Sequence, residues 1–373
     1  MEKEQLEEQL MYAYWFHGNH FAGNRTMWRL SEEIGTPKQI YECDGRVLAK
    51  FLTKKQTEHL LDSKRTWNVE EKWEELEREK ICFLPNFHAD YPEYLRAIPD
   101  PPWGLYLKGR FPDCNCMSAA VVGARQCSEY GKILARKIGG LLGENGIPVI
   151  SGMARGIDGI SQSAALNAGG ESLAVLGCGV DIYYPKENRV LYAMLEKQGG
   201  ILSEYPPGTQ PVAINFPPRN RIISGLCDVL IVIEAKEKSG TLITVDMALE
   251  QGKEVFALPG RITDALSAGC NNLIRQGAGI LTSLEELFQI LGIEKKNLKQ
   301  GMSLNGIEKQ VLLKNEKEKR LYGILEATPK NIEQIWAEYG MESLGIQQLM
   351  QMLLEFCMKG IAAQTGGCYY RVL

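Results

Sequence analysis

The feature that most constrains the fold is an alternation of short apolar runs with longer amphipathic segments between Ala119 and Leu291. The runs are rich in Val, Ile, Leu and Ala, as buried parallel strands are, and the segments between them are long enough for helices. In chain order the runs are AAVVG, IPVIS, SLAVLG, GGILSEY, DVLIVIEA, EVFALPG and GILT. Strands separated by helices imply parallel pairing with right-handed crossovers. This block is therefore predicted to be α/β, with a doubly wound, mostly parallel sheet.

Most strands of this block are followed by glycine or a polar turn. The turns are Gly123-Ala124-Arg125, Ser151-Gly152 to Gly156, Gly177-Cys178-Gly179, Ser239-Gly240-Thr241 and Pro259-Gly260. Ligands of doubly wound sheets bind beyond the carboxyl ends of the strands, and glycine allows a ligand to approach the backbone closely. A single turn of this kind is weak evidence, because tight strand-to-helix loops often use glycine. Five at one sheet edge predict a phosphate-bearing ligand.

Basic residues accompany these turns, most densely in FPPRNRIISGL, where Arg219 and Arg221 lie near the start of a predicted helix. Helix starts favour anions, and guanidinium groups bind phosphate oxygens in pairs. The alternative, that both arginines are surface salt-bridge partners, stays open. Further basic residues near the turns are Arg125, Arg155, Lys186 and Lys236.

Two common nucleotide motifs are absent from the sequence: the first turn lacks GxGxxG, and no GxxxxGK[ST] occurs. Both absences argue against an ordinary dinucleotide enzyme and a P-loop ATPase. The four histidines, at 17, 20, 59 and 88, all precede the block, which excludes a histidine-based catalytic centre within it. Candidate acids are Asp158, Asp181, Glu204, Glu234 and Asp246. Without histidine or a DxD metal pattern, binding is favoured over catalysis, and no catalytic residue, metal or cofactor is expected.

The rest of the chain suggests three further segments. Residues 1–70 show apolar residues at helical spacing and are predicted to form a small all-α domain. A larger sheet domain is predicted over residues 71–292. It begins with short strands at ICFLP and at Gly104 to Gly109. Residues 293–319 are polar and lysine-rich and are predicted to be a linker. Residues 320–373 show three helical patterns and a hairpin with a Gly-Gly turn, the outline of a winged helix.

Composition limits the compartment and the partners. The net charge of −4 means that any nucleic-acid site must be a local basic patch. No apolar run approaches the roughly 18 residues of a membrane span, and the acidic start MEKEQLEEQL does not resemble a signal peptide. The ten cysteines are scattered without a CxxC pair, which fits reduced thiols in the cytoplasm.

Seven motifs, in this order and spacing, resemble the DprA (Smf) family of DNA-processing proteins across the whole central block. They are SGMARGID, AVLGCGVDIYYPKEN, ILSEYPPG, FPPRNRIISGL, VIEAKEKSGTLIT, FALPG and GCNNLIRQGA. The resemblance implies a Rossmann-like domain that binds single-stranded DNA, protects it and loads the recombinase RecA during natural transformation. It also implies a SAM-like N-terminal domain, a winged-helix C-terminal domain and a homodimer.

The resemblance also implies site residues. DNA contacts are expected at Arg125, Lys186, Arg219 and Arg221, with the turns completing a phosphate pocket. The full predicted binding set is Gly123, Arg125, Ser151, Gly152, Arg155, Gly156, Gly177, Gly179, Lys186, Arg219, Asn220, Arg221, Ser239, Gly240 and Thr241.

Two further sets carry structural predictions. Asp158 is expected to fix the SGMARG loop. The family usually has histidine where this chain has Gln162, which can hydrogen-bond but cannot titrate near neutral pH. The family's dimer contact lies near GCNNLIRQGAGI, so Asn271, Ile274 and Ile280 are the dimer candidates. Ordinary core packing is the alternative for both isoleucines.

Two other functions would require features that the sequence lacks. A nucleoside monophosphate phosphoribohydrolase on a related fold would carry a PGGxGT-type turn, whereas this chain has SGTLIT without the preceding PGG. A regulator that reads duplex DNA through its winged helix would need a basic recognition helix, but QQLMQMLLEFCMKG contains a single lysine. Duplex binding is therefore not expected to be the main task.

Overall fold

The computed structural model describes residues 2–112, 117–292, 316–326, 328–340, 344–358 and 361–371. The chain divides into two compact units, Met1–Gln126 with Ala135–Ile280, and Cys127–Leu134 with Leu281–Leu373. No helix among the described residues is both long enough and apolar enough to cross a bilayer.

The first unit begins with six helices, and side chains cap the starts of the last four. They are α1 (Glu2–Gly18), α2 (Asn24–Glu33), α3 (Pro37–Glu42), α4 (Gly45–Leu48), α5 (Lys54–Thr66) and α6 (Val69–Arg78). Thr36 and Thr53 each form a capping box with the glutamine three residues later. Each box satisfies amide groups that the first helical turn leaves without a partner, which explains why the helices begin at these residues.

A nine-stranded mixed sheet forms the centre of the first unit. Its strands are β1 (Ile81–Pro85), β2 (Gly104–Gly109), β3 (Ala119–Val122), β4 (Val149–Ser151), β5 (Ser172–Leu176), β6 (Gly200–Ser203), β7 (Val229–Val232), β8 (Glu254–Ala257) and β9 (Gly279–Ile280). Their order is β1-β2-β6-β5-β4-β3-β7-β8-β9. In this spatial order, every pair of neighbouring strands between β6 and β9 is parallel, and β2 pairs antiparallel with β6. The predicted doubly wound, mostly parallel, Rossmann-like sheet is confirmed.

Helices cover both faces of this sheet. They are α7 (Glu93–Arg96), α8 (Glu129–Glu144), α9 (Ile157–Asn167), α10 (Arg189–Gln198), α11 (Phe216–Leu226), α12 (Gly240–Glu250) and α13 (Ala268–Arg275). Successive residues of β5 enter different cores: Ala174 belongs to the core that includes α10, and Val175 belongs to the core that includes α11, α12 and α13. Because side chains alternate across a strand, this division shows that each face has its own hydrophobic core.

The N-terminal helices share one of these cores. Trp15 and Phe16 of α1 are fully buried with Phe83, Trp103 and Tyr106 of the sheet region. Burial of each such ring contributes about 1.5–3 kcal/mol. The boundary predicted at residue 70 stays a prediction, but the helices on its N-terminal side do not form a core separate from the sheet.

The strand order reverses beside β3. From β3 the chain proceeds outward through β4, β5 and β6, and then returns to the other side of β3 with β7 and β8. The loops after β3 and β7 therefore diverge and leave a crevice at the carboxyl ends, where ligands of such sheets bind. The two loops are joined by a hydrogen bond from the Ala124 amide to the Glu234 carbonyl (2.7 Å).

The second unit contains a small three-stranded sheet. Its elements are α14 (Leu284–Ile290), α15 (Glu316–Ile324), β10 (Lys330–Asn331), α16 (Ile332–Tyr339), α17 (Ile346–Met358), β11 (Ala362–Thr365) and β12 (Cys368–Arg371). The order β10-β12-β11, with three helices and a terminal hairpin at Gly366-Gly367, is that of a winged helix, as predicted. Residues 293–315 of the predicted linker lie outside the described residues, and 316–319 are helical because α15 begins at Glu316.

Candidate nucleic-acid interface

A cleft of about 590 Å³ lies at the point where the strand order reverses. Five segments line it: the loop after β3, the loop after β4 with the start of α9, the loop after β5, the loop before α11 with its first turns, and the start of α12. The lining residues include Gly123, Ala124, Arg125, Asp158, Tyr184, Phe216, Arg219, Asn220, Ser239, Gly240, Thr241 and Thr244. Among the lining residues Arg125 and Arg219 are the cations and Asp158 is the single carboxylate, so the cleft favours an anion.

Arg219 is buried in the wall of this cleft, with 4% of its surface exposed. Its guanidinium donates to the carbonyls of Gly152 (3.1 Å) and Val175 and to the amide oxygen of Asn220 (3.2 Å). Within the part of the chain that the structure describes, none of its hydrogen-bond acceptors is a carboxylate. Burial lowers the pKa of Arg219 to about 10, so it stays a cation at neutral pH. Arg219 is therefore a buried positive charge for which the described residues provide no ion-pair partner.

Asp158, in the first turn of α9, is the nearest acid to this charge. One of its carboxylate oxygens accepts the Gly152 amide at 3.2 Å, which fixes the loop after β4. Burial raises the pKa of Asp158, although Arg219 opposes that shift. The two buried groups therefore influence each other's pKa although no hydrogen bond joins them.

Gly152 separates these two groups and has to be small. A methyl group at this position would lie 2.7 Å from a terminal nitrogen of Arg219 and 2.9 Å from the nearer oxygen of Asp158. Contacts that short force one of the two side chains to move. Glycine at 152 thus sets the position of the buried guanidinium.

Phe216 adds an aromatic surface to the cleft. The guanidinium carbons of Arg125 and Arg219 each lie 5.8 Å from the centroid of its ring, and the Tyr184 ring lies 5.6 Å away. Arginines at this distance are attracted to the ring face. Cations interleaved with aromatic rings are the usual construction of a surface that holds both the phosphates and the bases of a single strand.

The start of α12 completes the cleft. The hydroxyl of Ser239 caps this helix by accepting the Thr241 amide at 3.1 Å. Space around Gly240 is open, since a methyl group there would have no neighbour within 4 Å. The positive end of the helix dipole therefore faces the same space as Arg125 and Arg219.

Arg221 does not reach this cleft. Its guanidinium forms ion pairs with Glu204 (2.6 Å) and Asp100 (3.3 Å), and it lines a separate cavity next to α2. The expectation of two adjacent phosphate-binding arginines therefore needs correction. Residues two apart on a helix point about 200° from each other, so one faces the cleft and the other faces the N-terminal helices.

Other predicted residues shape the loops instead of lining the cleft. The Ser151 hydroxyl is fully buried and donates to the Val121 carbonyl at 2.7 Å. Gly156 has φ +76°, and a side chain there would collide with the Ala124 and Arg125 carbonyls. A side chain at Gly179 would meet Asp181.

A smaller cavity adjoins the cleft and shares Arg125 and Arg219 with it. Gly152, Arg155 and Gly177 line this cavity. Arg155 is exposed and pairs with Glu187 at 2.6 Å. Lys186 is exposed and lies beyond the residues that line either cavity, so the structure leaves it at the periphery.

Gln162 is fully buried and hydrogen-bonded through both ends of its amide. Its oxygen accepts the Met153 amide (3.0 Å), and its nitrogen donates to the Ser172 hydroxyl (3.1 Å) and the Leu173 carbonyl (3.2 Å). A neutral histidine offers one donor and one acceptor and could not make all three bonds. Gln162 therefore connects the loop after β4 to β5.

The three dimer candidates differ in exposure. Asn271 hydrogen-bonds both the amide and the carbonyl of Gly260 (3.2 and 3.1 Å). Ile274 packs against the hydrophobic core. Ile280 is 48% exposed on β9, the edge strand of the sheet, and is the most exposed of the three.

Sequence reasoning missed Phe216 and Tyr184 as site residues. Phe216 precedes Pro217 and Pro218 at the first turn of α11, and proline there fixes the start of the helix. An aromatic residue three positions before Arg219 lies on the same helix face. The three-residue spacing of Phe216 and Arg219 is therefore the sequence signal that could have identified Phe216 as a site residue.

Comparison with known proteins agrees with this architecture. A model of the family described as DNA recombination-mediator protein A matches residues 83–292. The chain is 46% identical over 198 residues to the DNA processing protein DprA of Streptococcus pneumoniae, a match that covers 53% of this chain and 70% of that protein. It is 45% identical over 220 residues to the protein Smf of Escherichia coli, covering 57% of this chain and 59% of that one.

Solved structures show the same fold. The crystal structure of DprA from Streptococcus pneumoniae superposes with a TM-score of 0.66 at 34% identity, over 75% of this chain and 98% of that one. A DprA structure from Helicobacter pylori, described for its single-stranded DNA binding mode, gives a TM-score of 0.51 at 29% identity, over 57% of this chain and 95% of that one. Because the matched segment covers more than half of the sequence and contains the whole cleft, this chain belongs to the DNA recombination-mediator protein A family.

Proposed function

We propose that this protein binds single-stranded DNA by holding a backbone phosphate between Arg219, Arg125 and the start of α12. The observation that carries the proposal is the buried guanidinium of Arg219, which has no carboxylate among its hydrogen-bond partners in the described chain. A buried charge without an ion-pair partner is costly, and an incoming phosphate would offset that cost with charge-assisted hydrogen bonds.

The aromatic surface favours single strands over duplexes. Phe216 and Tyr184 line the cleft, where an unpaired base can stack on a ring but a paired base cannot reach it. Every base has a π face, so stacking gives little sequence preference. The Helicobacter relative described with single-stranded DNA supports this choice of ligand.

The same proposal extends to the cellular role. The protein protects incoming single strands in the cytoplasm and passes them to RecA during natural transformation, working as a homodimer with Ile280 of β9 in the contact. Support comes from the family's description as a recombination mediator and from the exposed position of Ile280 on an edge strand.

Fluorescence anisotropy with a labelled oligo-dT of about 30 nucleotides, and with its duplex, tests the binding. We expect the single strand to bind more tightly and affinity to fall steeply with salt. Arg125→Ala should weaken binding by at least about tenfold, since a charge-assisted contact contributes roughly 1.5–3 kcal/mol. Arg110→Ala is the matched control, because Gly109 pairs with the first residue of β6 and Arg110 thus lies at the opposite end of the strands. Equal affinity of both variants would contradict the proposed site.

We also propose that the protein acts by binding and not by turnover. Asp158 is the single carboxylate lining the cleft and is held by the Gly152 amide, whereas hydrolysis requires a paired acid and base. Incubation with nucleoside monophosphates should release no free base. Release that disappears in Asp158→Asn would favour the phosphoribohydrolase alternative.

A further inference from the structure

Asp158 is a cleft residue that a phosphate site does not explain. It is 7% exposed, and the cleft that it lines is otherwise charged by two arginines. A phosphate is repelled by this carboxylate, whereas Arg125, Arg219 and the start of α12 attract it. No hydrogen bond joins the described side chains of Asp158 and Arg219, so the carboxylate is not a hydrogen-bonded counter-ion of the guanidinium. Its position in the cleft suits another part of the ligand.

The carboxylate of Asp158 has hydrogen-bonding capacity that the fold does not use. Oδ2 accepts the Gly152 amide at 3.2 Å, and a carboxylate offers about four lone-pair positions. Burial raises the pKa of Asp158, and Arg219 and the Ser151 hydroxyl oppose that shift, but the Ser151 proton goes to the Val121 carbonyl at 2.7 Å. Within the part of the chain that the structure describes, Oδ1 accepts no hydrogen bond. A buried acceptor that lines a cleft in this state favours a ligand with N–H donors.

Asn220 lines the same cleft and presents a donor. Its amide oxygen accepts from Nε of Arg219 at 3.2 Å. An NH2 group cannot accept from a guanidinium, so this bond fixes the orientation of the amide and directs Nδ2 away from Arg219. Among the described residues Nδ2 has no acceptor. The cleft therefore offers an unused donor on Asn220 together with the unused acceptor on Asp158.

An unpaired nucleobase is the part of a single strand that complements such a pair. Proteins read unpaired bases through hydrogen bonds to the Watson–Crick edge while the ring stacks on aromatic side chains, which Phe216 and Tyr184 provide here. Guanine presents two adjacent donors on that edge, N1–H and N2–H, beside the acceptor O6. Thymine, cytosine and adenine each present a single donor group there. A carboxylate accompanied by an amide donor therefore fits guanine best.

We propose that Asp158 and Asn220 give the single-stranded DNA site a base preference, with guanine favoured at the nucleotide held in the cleft. Asp158 accepts N1–H and N2–H, and Nδ2 of Asn220 donates to O6. The inference rests on the proposed binding of single strands. Phosphate contacts and ring stacking hold every base alike and supply most of the affinity, and these two side chains add selectivity at one position.

Competition against labelled oligo-dT, followed by fluorescence anisotropy on the full-length chain, tests the preference. The unlabelled competitors are short oligo-dT strands that differ in one central nucleotide, which is dT, dG or deoxyinosine. The dG strand should compete at least about fivefold better than the dT strand, as expected for a bidentate base contact. Deoxyinosine keeps N1–H and O6 but lacks the N2 amino group, so it should compete less well than dG. These comparisons use the wild-type protein and require no variant.

Asp158→Asn separates base readout from support of the loop. The amide oxygen of asparagine can still accept the Gly152 amide, but its NH2 group cannot accept N–H donors from guanine. The variant should keep its affinity for oligo-dT and lose the preference for dG. Asp246→Asn is the matched control, because it removes an exposed carboxylate of α12 that is not among the residues lining the cleft. This control should keep the preference.

The outcomes distinguish this inference from the proposed function. Absence of binding to oligo-dT would overturn both the single-strand site and the preference built on it. Tight binding of oligo-dT with equal competition by the dT, dG and deoxyinosine strands would overturn the base preference alone. A preference for dG that persists in Asp158→Asn would show that Asp158 does not read the base. Loss of the preference in Asp246→Asn as well would assign it to overall charge.

Discussion

At the scale of single residues, the contrast between Arg219 and Arg221 explains how one helix can serve both function and stability. The two are equally buried, but Glu204 and Asp100 neutralise Arg221, whereas the strongest acceptors of Arg219 are carbonyl groups. Removal of a partner from a buried ion pair leaves the other charge unpaired. Removal of Arg219 breaks no ion pair among the described residues, because the hydrogen-bond acceptors of its guanidinium are carbonyl and amide oxygens.

Substitution of Arg221 should mainly lower stability, whereas substitution of Arg219 should mainly weaken DNA binding. Arg221→Gln is expected to lower the free energy of unfolding by about 3–5 kcal/mol, the usual cost of breaking a buried pair, while the folded fraction still binds DNA. Arg219→Gln should reduce affinity for oligo-dT by at least about tenfold with a smaller loss of stability. Urea unfolding and anisotropy on both variants make the comparison. If Arg221→Gln lost affinity while keeping its stability, the division of roles would be wrong.

His17 gives the protein a pH-dependent stability. It is buried among Phe83, Trp103 and Tyr106, and burial lowers its pKa to about 3. An unfolded histidine has a pKa near 6.5, so the unfolded state takes up a proton first as pH falls. Stability is thus lost as the pH falls from about 6.5 towards 3, and His17 accounts for about 2 kcal/mol between pH 7 and pH 5.

Thermal unfolding at pH 7 and pH 5 tests this effect. His17→Phe fits the surrounding aromatic cluster and should show a smaller difference between the two pH values than the wild type. Tyr106→Phe removes the hydroxyl that lies 3.0 Å from the imidazole but keeps the imidazole, so its pH dependence should match the wild type. A wild-type slope in His17→Phe would assign the effect to other groups.

At the scale of elements, the loop after β4 determines where the cation of α11 lies. Gly152→Ala should weaken DNA binding by about tenfold, because the methyl group displaces the guanidinium of Arg219 or the carboxyl of Asp158. Gly140→Ala on α8 is the control: nothing lies within 4 Å of the added methyl group, and alanine stabilises a helix by about 0.5–1 kcal/mol relative to glycine. Anisotropy and thermal unfolding on the two variants separate the loss of binding from a loss of folding.

Elements were far easier to predict from the sequence than the orientation of their side chains. Both β1 and β2 were predicted with their observed bounds, since an apolar run bounded by glycine or proline is a local signal. The direction of Arg221 is not local, because it depends on Glu204 and Asp100, which the fold brings to α11 from distant parts of the chain. The spacing of Phe216 and Arg219 is a local signal, but only the fold shows that Arg125, after β3, also reaches the ring of Phe216.

At the scale of the whole molecule, the sequence pattern predicts a helical domain over residues 1–70 and a sheet domain over 71–292, and in the structure the N-terminal helices share a hydrophobic core with one face of the sheet. Periodicity identifies which residues are buried, but it does not identify what they are buried against. The aromatic residues of α1 fit a small helical domain and a sheet-covering helix equally well at the level of sequence.

Truncation distinguishes these two architectures. A chain that lacks residues 1–70 should aggregate, because Phe83, Trp103 and Tyr106 lose the cover of Trp15 and Phe16. Those contacts amount to several kcal/mol out of a typical total of about 5–15 kcal/mol.

A chain that ends at Gly292 keeps every residue that lines the cleft and should bind oligo-dT with unchanged affinity. Gel filtration and anisotropy on both truncations provide the test, and a soluble, monodisperse protein without residues 1–70 would restore the separate-domain interpretation. Loss of binding in the chain ending at Gly292 would instead show that the C-terminal unit takes part in holding the strand.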